Sequence, residues 1–302
     1  MTVRIAHFSD THVLSLQGVG PRRFLNKRWT GALNLALNRA RHYRVEVFEQ
    51  LLQTIAELEP DHAICTGDLV NLALEPEFEK VAALLAEVFA PDALTLVPGN
   101  HDAYVKEAWD GRLFERHFGA WMPHDLEIGA DGPFPVTRML EGVAIVGLSS
   151  AIPTPVFLAN GQVGTSQVAA MRVALRHPEA RGRFRLLMLH HPLLREPTRR
   201  LEAMRRLDDA EAVIAGIHEC GDAAPGLVVH GHNHAFKVQR VPQTDIPLVQ
   251  VASASRAGNH GRAEFNVYVI DEGRLTAIER HIHAPDEGRF VRCDVGGEPL
   301  AA

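Results

Sequence analysis

Short apolar runs alternate with amphipathic segments over the first third of the chain. Residues 3–8, 62–66 and 94–98 are rich in apolar and β-favouring residues and predict strands. Residues 45–58 and 76–89 repeat apolar side chains every three or four positions, which predicts helices. An alternation of strand and helix requires right-handed crossovers and a mostly parallel sheet. The chain is therefore predicted to be an α/β protein.

Further helical and strand-like segments follow. Helices are predicted over 166–176, with Ser166 as N-cap, and over 198–218. Strands are predicted over 142–148, 185–189, 227–229, 236–241, 247–252, 265–270 and 275–282. The last four are not separated by helices, which suggests a second sheet.

The domain organisation is predicted to be simple. A chain of 302 residues can bury a large core, and no shift in composition marks a linker. We expect a single domain over 1–302, with a basic amphipathic insertion at about 13–44. From about residue 284 the chain lacks a clear pattern, which predicts an irregular C-terminal tail.

Residues that can bind metal ions follow five of the predicted strands. They are Asp10 and His12, then Asp68, then Asn100, His101 and Asp102, then His190 and His191, and finally His232 and His234. The carboxyl ends of parallel strands meet at the edge of a sheet, where α/β proteins bind their ligands. Any one of these groups could be an ordinary turn, but together they predict one site.

The chemistry of these side chains predicts the cofactor. Carboxylate, amide and imidazole ligands without thiolate suit Mn, Fe, Zn or Co better than Ca²⁺. The ligands exceed what one catalytic ion needs, so two divalent ions are expected, with one carboxylate bridging them. The surplus positive charge would attract a phosphate group, which favours hydrolysis of a phosphoester.

The same motifs occur in a known order. DTH (10–12), GD (67–68), GNHD (99–102), HHP (190–192) and GHNH (231–234) resemble the five signatures of the calcineurin-like binuclear metallophosphoesterases. The resemblance extends from residue 5 to about residue 234. It implies a four-layer α-β-β-α sandwich with two mixed sheets and metals between the sheet edges.

The resemblance also implies a role for each residue. Asp10, His12 and His234 would bind the first ion, Asn100, His190 and His232 the second, and Asp68 would bridge them. His101, positioned by Asp102, would protonate the leaving alkoxide or stabilise the phosphoryl oxygens. A hydroxide bridging the two ions would be the nucleophile.

Other histidines are interpreted as structural. The family pattern selects His190 over His191, and His230 is expected to be a strand residue. The second GNH sequence, at 258–260, has no acid after it and is interpreted as a loop.

The motifs also bear on the substrate. The sequence has GDLVN and GNHD where related protein phosphatases have an Arg-Gly pair and GNHE. It is more similar to bacterial phosphodiesterases that act on cyclic nucleotides or glycerophosphodiesters, which is the predicted activity. The alternative is a lipid or nucleotide-sugar pyrophosphatase of the UDP-2,3-diacylglucosamine hydrolase type. A non-catalytic scaffold of the same fold is a remote alternative, because every ligand position is filled.

A basic stretch from Arg22 to Arg44 contains no acidic residue. It could contact a membrane or lipid, cover an anionic substrate, or pack on the domain as a solvated helical insertion. The net charge of −6 argues against a nucleic acid polymer as partner. Three cysteines without a disulfide or metal spacing, and no apolar signal sequence, predict a cytoplasmic protein, possibly membrane-associated. The oligomeric state is left open.

Overall fold

A computed structural model describes residues 1–29, 43–129, 131–195, 198–257 and 262–293. The strands are β1 (Thr2–Phe8), β2 (His62–Cys65), β3 (Leu94–Leu96), β4 (Val136–Leu140), β5 (Val143–Gly147), β6 (Phe184–Met188), β7 (Leu227–His230), β8 (Lys237–Arg240), β9 (Pro247–Gln250), β10 (Glu264–Asp271), β11 (Arg274–Ala284) and β12 (Arg289–Cys293). The α-helices are α1 (Val45–Leu58), α2 (Glu75–Ala86), α3 (Lys106–Asp110), α4 (Leu113–Phe118), α5 (Thr165–Arg176), α6 (Arg199–Arg205) and α7 (Ala210–Glu219).

The strands form two six-stranded mixed sheets. The first has the order β12-β11-β10-β1-β2-β3, with β1, β2 and β3 parallel and β10 to β12 antiparallel. The second has the order β4-β5-β6-β7-β9-β8, in which β4 and β8 are antiparallel edge strands. The motif residues follow the carboxyl ends of the parallel strands in each sheet.

Alternation of side chains along β5 shows how the layers stack. Ile145 packs in a cluster that contains Phe8 and Phe48 of the first sheet and α1. Val146 points the other way, into a cluster with Met171 of α5 and Val213 of α7. Since successive residues of a strand face opposite sides, the second sheet is covered by the first sheet on one face and by helices on the other. With α1 outside the first sheet, the layers follow the predicted α-β-β-α order.

The sequence suggested that the last four predicted strands form a second sheet of their own, and this is wrong. β8 and β9 extend the second sheet, whereas β10 and β11 return to the first sheet and pair beside β1. The last third of the chain thus contributes strands to both sheets. Strand β4 was missed because it follows a stretch rich in glycine and proline.

Two helix predictions are corrected. Helix α5 begins at Thr165, and its N-cap is Gly164 rather than Ser166. The carboxylate of Asp209 accepts hydrogen bonds from the amides of Val163 (3.0 Å) and Gly164 (2.6 Å), just before that helix. The single helix predicted over 198–218 is divided into α6 and α7, because residues 207–209 turn toward this loop.

The irregular tail was also predicted wrongly in part. Residues 289–293 form β12, an edge strand paired with β11. Residues 294–302 and the GNH sequence at 258–260 lie outside the described residues. A single domain over 1–302 stays a prediction, which the core shared by the two sheets supports. No helix within the described ranges is both long and apolar enough to cross a membrane.

The described part of the basic stretch is anchored to the domain by Arg28. Its side chain is buried, and its guanidinium donates to the carbonyls of Leu72 (Nε, 2.9 Å) and Ala73 (Nη2, 2.6 Å) and to the carboxylate of Glu107 (Nη1, 3.1 Å). Residues 30–42 of the predicted insertion lie outside the described residues. Arg28 is therefore a structural residue of the fold, which agrees with the interpretation of the basic stretch as a segment packed on the domain.

We expect Arg28→Ala to lower the free energy of unfolding by about 3 kcal/mol, because two buried carbonyls and a carboxylate would lose a charged donor. The matched control is Arg22→Ala, an exposed neighbour, which should change it by less than about 0.5 kcal/mol. Urea unfolding followed by circular dichroism measures both. Equal stability of the two variants would contradict the anchoring role.

Candidate metal centre

The predicted ligands meet where loops after β1, β2, β3, β6 and β7 come together. Four groups of potential ligand atoms lie within 4.8 Å of one another: Asp10, His12 and His234; Asp10, Asp68 and His190; His12, Asp68 and His101; and His190, His191 and His232. Asp10 and Asp68 each belong to two groups, so the groups form one continuous cluster. Side chains more than 200 positions apart in sequence are thus brought into contact.

The local backbone is strained where these side chains leave the strands. Positive φ angles occur at Asp10 (57°), His12 (45°), Asp68 (54°), His232 (74°) and His234 (53°). A left-handed conformation at residues other than glycine costs about 1–2 kcal/mol each and is concentrated at functional sites. Gly99 is required for a different reason, since a Cβ there would overlap a carboxylate oxygen of Asp68.

His190 has a fixed orientation. Its Nδ1 donates to the Thr66 carbonyl (2.7 Å), so Nε2 points into the cluster. There Nε2 lies 3.2 Å from Oδ1 of Asn100, 3.1 Å from Nδ1 of His232 and 3.5 Å from Oδ2 of Asp68. A backbone carbonyl behind an imidazole is the usual arrangement for a histidine that binds a metal.

The other side of the cluster has similar geometry. Nε2 of His12 lies 3.0 Å from Nε2 of His234, which in turn lies 3.1 Å from Oδ1 of Asp10. Nδ1 of His234 and the hydroxyl of Tyr43 form a hydrogen bond of 2.9 Å. The other carboxylate oxygen of Asp10 accepts from the amide of His232 (3.0 Å), which joins the first and last motifs.

Buried charge dominates the electrostatics. Burial alone would raise the pKa of Asp68, but His190, His101 and His12 hold it well below its usual range. Burial opposes protonation of His190, yet the charge of Asp68 raises its pKa to about 9. Burial, together with His191 and His190, lowers the pKa of His232 well below its usual value. The carboxylates of Asp68 and Asp10 thus favour a positive charge on His190.

These residues fit divalent cations. Among the described residues, no hydrogen-bond partner is found for two buried atoms, Oδ1 of Asp10 and Nε2 of His232, although both can offer a lone pair to a cation. Facing imidazole nitrogens near 3 Å cannot both donate a proton to each other, but both can bind a cation between them. Oxygen and nitrogen ligands of this kind are typical of Mn, Fe, Zn and Co sites.

Both ring nitrogens of His191 have partners outside the candidate metal centre. Its Nδ1 lies 2.7 Å from the Ser150 hydroxyl, and its Nε2 lies 3.1 Å from the Ala159 carbonyl. Burial and the charge of His190 lower the pKa of His191 to about 3, which keeps the ring neutral. His191 therefore holds the loop that contains Ala159, although it is close enough to His232 to belong to one of the groups. His230 lies in β7, as predicted.

The carboxylate of Asp102 contacts backbone amides of its own turn and of the turn after β2. It accepts four hydrogen bonds, from the amides of Gly99 (2.8 Å), Asp68 (2.8 Å), Leu69 (2.9 Å) and Val70 (3.1 Å). The Nδ1 atom of the His101 ring faces the Asn71 carbonyl at 2.6 Å, and positioning of His101 by Asp102 stays a prediction. Asp102 therefore fixes the backbone of the GD and GNHD turns relative to each other.

Several neighbours of the cluster were not found from the sequence. The Tyr104 ring stacks on His101 with centroids 5.2 Å apart, and the Lys27 ammonium lies 4.5 Å above Tyr104. Burial lowers the pKa of Lys27 to about 8, although Asp68 opposes this shift. Proximity to the GD and GNHD motifs could have indicated Asn71 and Tyr104. Tyr43 and Lys27 lie in the basic stretch, which was predicted as a possible cover of the substrate, but no pattern singled out these two residues.

Comparison with known proteins agrees with this geometry. Residues 3–236 match the calcineurin-like phosphoesterase family. The chain belongs to this family. It is thus related to phosphoester hydrolases, and the family's binuclear metal dependence agrees with the donor set described above.

One relative is named "Probable cyclic nucleotide phosphodiesterase", from Rhodopseudomonas palustris, with 27% identity over 255 residues that cover 78% of this chain and 84% of the relative. Two solved structures share the fold. A purple acid phosphatase from yellow lupin seeds has a TM-score of 0.60 at 10% identity, covering 97% of this chain and 53% of that one. The sulfate thiohydrolase SoxB of Thermus thermophilus has a TM-score of 0.51 at 14% identity, covering 96% and 58%. This chain spans about half the length of the lupin phosphatase.

We expect Asp102→Asn to lower the free energy of unfolding of the metal-free protein by about 2–4 kcal/mol, because each carboxylate oxygen accepts from two backbone amides and an asparagine has only one acceptor oxygen. The control is Asp125→Asn, an exposed carboxylate that accepts from one backbone amide, that of Met139 (2.7 Å), and from the Arg138 guanidinium (3.5 Å); it should cost less than about 1 kcal/mol. Denaturant unfolding in the presence of a chelator measures both. A cost for Asp102→Asn no larger than that of the control would disprove the bracing role.

Proposed function

We propose that the protein is a phosphodiesterase that depends on two divalent metal ions. The observation that carries the proposal is the continuous cluster in which Asp10 and Asp68 are each shared between groups of ligand atoms. A cluster shared in this way has donors for more than one ion. It also leaves Asp68 between its two halves, as a bridging ligand requires.

The family resemblance assigns the ligands. Asp10, His12 and His234 would bind one ion, Asn100, His190 and His232 would bind the other, and Asp68 would bridge them. The contacts of His12 with His234 and of His190 with Asn100 and His232 support this division. The two ions, when bound, would activate the water that attacks phosphorus and would polarise the phosphoryl oxygens.

His101 is proposed to act on the substrate. Because Nδ1 faces the Asn71 carbonyl and therefore carries the proton, Nε2 is the nitrogen directed to the cluster of His12 and Asp68. When protonated, Nε2 can donate to a phosphoryl oxygen or to the leaving alkoxide. The stacked ring of Tyr104 limits rotation of the imidazole and keeps this nitrogen in place.

The diester preference is supported by the relative's name and by the motifs. The relative at 27% identity is named a probable cyclic nucleotide phosphodiesterase. GDLVN replaces the Arg-Gly continuation of the related protein phosphatases, and GNHD replaces their GNHE. Cyclic nucleotides and glycerophosphodiesters are therefore the proposed substrate class. The free thiols Cys65, Cys220 and Cys293 fit the further proposal of a reducing, cytoplasmic location.

We expect the purified protein to hydrolyse bis-p-nitrophenyl phosphate, to lose this activity with a chelator and to regain it with Mn²⁺. A panel of cyclic nucleotides, glycerophosphodiesters, phosphomonoesters and UDP-2,3-diacylglucosamine then compares kcat/KM under the same conditions. Highest kcat/KM on a diester supports the proposal. Preference for the UDP lipid would favour the pyrophosphatase alternative, and no hydrolysis by a metal-loaded protein would leave only a scaffold.

His101→Ala should retain both ions and lose about 10²- to 10⁴-fold in kcat, because it removes a proton donor that is not a proposed ligand. The matched control is His190→Ala, which should lose bound metal as well as rate. Metal content per chain by elemental analysis, together with kcat at saturating Mn²⁺, separates the two. Loss of an ion from His101→Ala would reassign His101 as a ligand.

A further inference from the structure

We propose that an exposed apolar surface beside the candidate metal centre docks onto an anionic lipid bilayer. The surface consists of Leu25, Trp29, Val156 and Phe157, which we call the apolar rim. Their exposed fractions are 84%, 55%, 37% and 72%. Large apolar side chains exposed together, with cations beside them, are typical of surfaces that contact proteins or membranes.

The two halves of the apolar rim are held together by Lys27. Lys27 lies between Leu25 and Trp29 in sequence. Its ammonium donates to the Thr154 hydroxyl (2.8 Å) and to the Leu158 carbonyl (3.1 Å), and these residues flank Val156 and Phe157. The two segments that carry the exposed side chains therefore meet at the Lys27 ammonium.

The backbone at Phe157 adds to the evidence. Its φ angle is 70°, in the left-handed region that an aromatic residue rarely adopts. Its side chain is largely exposed, so this strained turn is not compensated by burial of the ring in the core. A strained turn that presents an aromatic ring to solvent is explained if the ring is buried in a partner.

The apolar rim is adjacent to the site. The Lys27 ammonium lies over the ring of Tyr104, and that ring stacks on His101. A bilayer that covers the rim would thus lie within a few side chains of the candidate metal centre. A phosphoester at a lipid headgroup could then reach the ions without leaving the membrane, a consequence that rests on the proposed function.

Charge complementarity selects the partner. The whole chain has a net charge of −6, but residues 13–29 contain four cations and no acidic residue. Near the rim, Arg22 is exposed, while Arg23 and Arg28 share one carboxylate, that of Glu107. The local charge is therefore positive. A second copy would present the same positive charge, whereas anionic headgroups above a hydrocarbon layer complement both the cations and the apolar side chains.

The test is flotation of the full-length protein with vesicles of phosphatidylcholine alone or mixed equally with phosphatidylglycerol. We expect the wild-type protein to float with the mixed vesicles, and less so at high salt. We expect partitioning into the mixed vesicles to weaken by about tenfold or more in the rim variant, which combines Leu25→Ser, Trp29→Ser and Phe157→Ser. Arg22→Ser alone should weaken it by about fivefold.

Controls make the test specific. Val173→Ser combined with Val238→Ser removes apolar side chains of 50% and 40% exposure from α5 and β8, and should leave flotation unchanged. Hydrolysis of soluble bis-p-nitrophenyl phosphate should be the same in the rim variant and the wild type, so failure of the docking surface and failure of the proposed function are distinguishable. Absence of wild-type flotation, or equal flotation of the rim variant, would overturn the proposal. A change in oligomeric state on size exclusion without vesicle binding would instead assign the rim to a protein interface.

Discussion

The four backbone hydrogen bonds of Asp102 are the interaction on which the candidate site most depends. They connect the turn after β2 with the turn after β3, two segments whose strands are already parallel neighbours. The sheet brings the turns close together, but it does not fix the direction of their side chains. A buried carboxylate that accepts hydrogen bonds from several amides fixes these directions, because each hydrogen bond restricts one peptide plane. Asp68 then points toward His190, and Asn100 lies beside it.

The rest of the site uses the same arrangement of backbone donors and acceptors. Thr66 and Asn71 supply carbonyls that orient His190 and His101, and Asp10 accepts from the amide of His232. The left-handed turns cost several kcal/mol in sum, and the two packed sheets must compensate for that cost. Strain and buried charge are concentrated where the parallel strands end, while apolar side chains from both sheets pack in one cluster. This separation is expected where a rigid scaffold holds a reactive site.

The sequence predicted the features that depend on periodicity and motif order. Alternating strands and helices indicated the α/β class, and the residues at the strand ends indicated the cluster. It could not predict which sheet a strand joins, because pairing depends on long-range packing. β10 and β11 were therefore assigned to a separate sheet, although they pair beside β1. The division of α6 from α7 depended on Asp209 binding a distant loop, which no local pattern contains.

The roles of individual charges were the least predictable. Asp102 follows His101 directly and was expected to position it; its carboxylate contacts backbone amides of its own turn and of the turn after β2, which motif order alone does not indicate. Arg28 and Lys27 were read as part of one charge run, yet they contact Leu72 and Thr154 of the domain. Their neighbours Leu25 and Trp29, which an amphipathic pattern would bury, are the exposed ones. Lys27 and Arg28 point inward because carbonyls, a hydroxyl and an aromatic ring beside the site can stabilise a buried cation. The apolar side chains Leu25 and Trp29 are left at the surface, where the proposed contact with a bilayer would bury them.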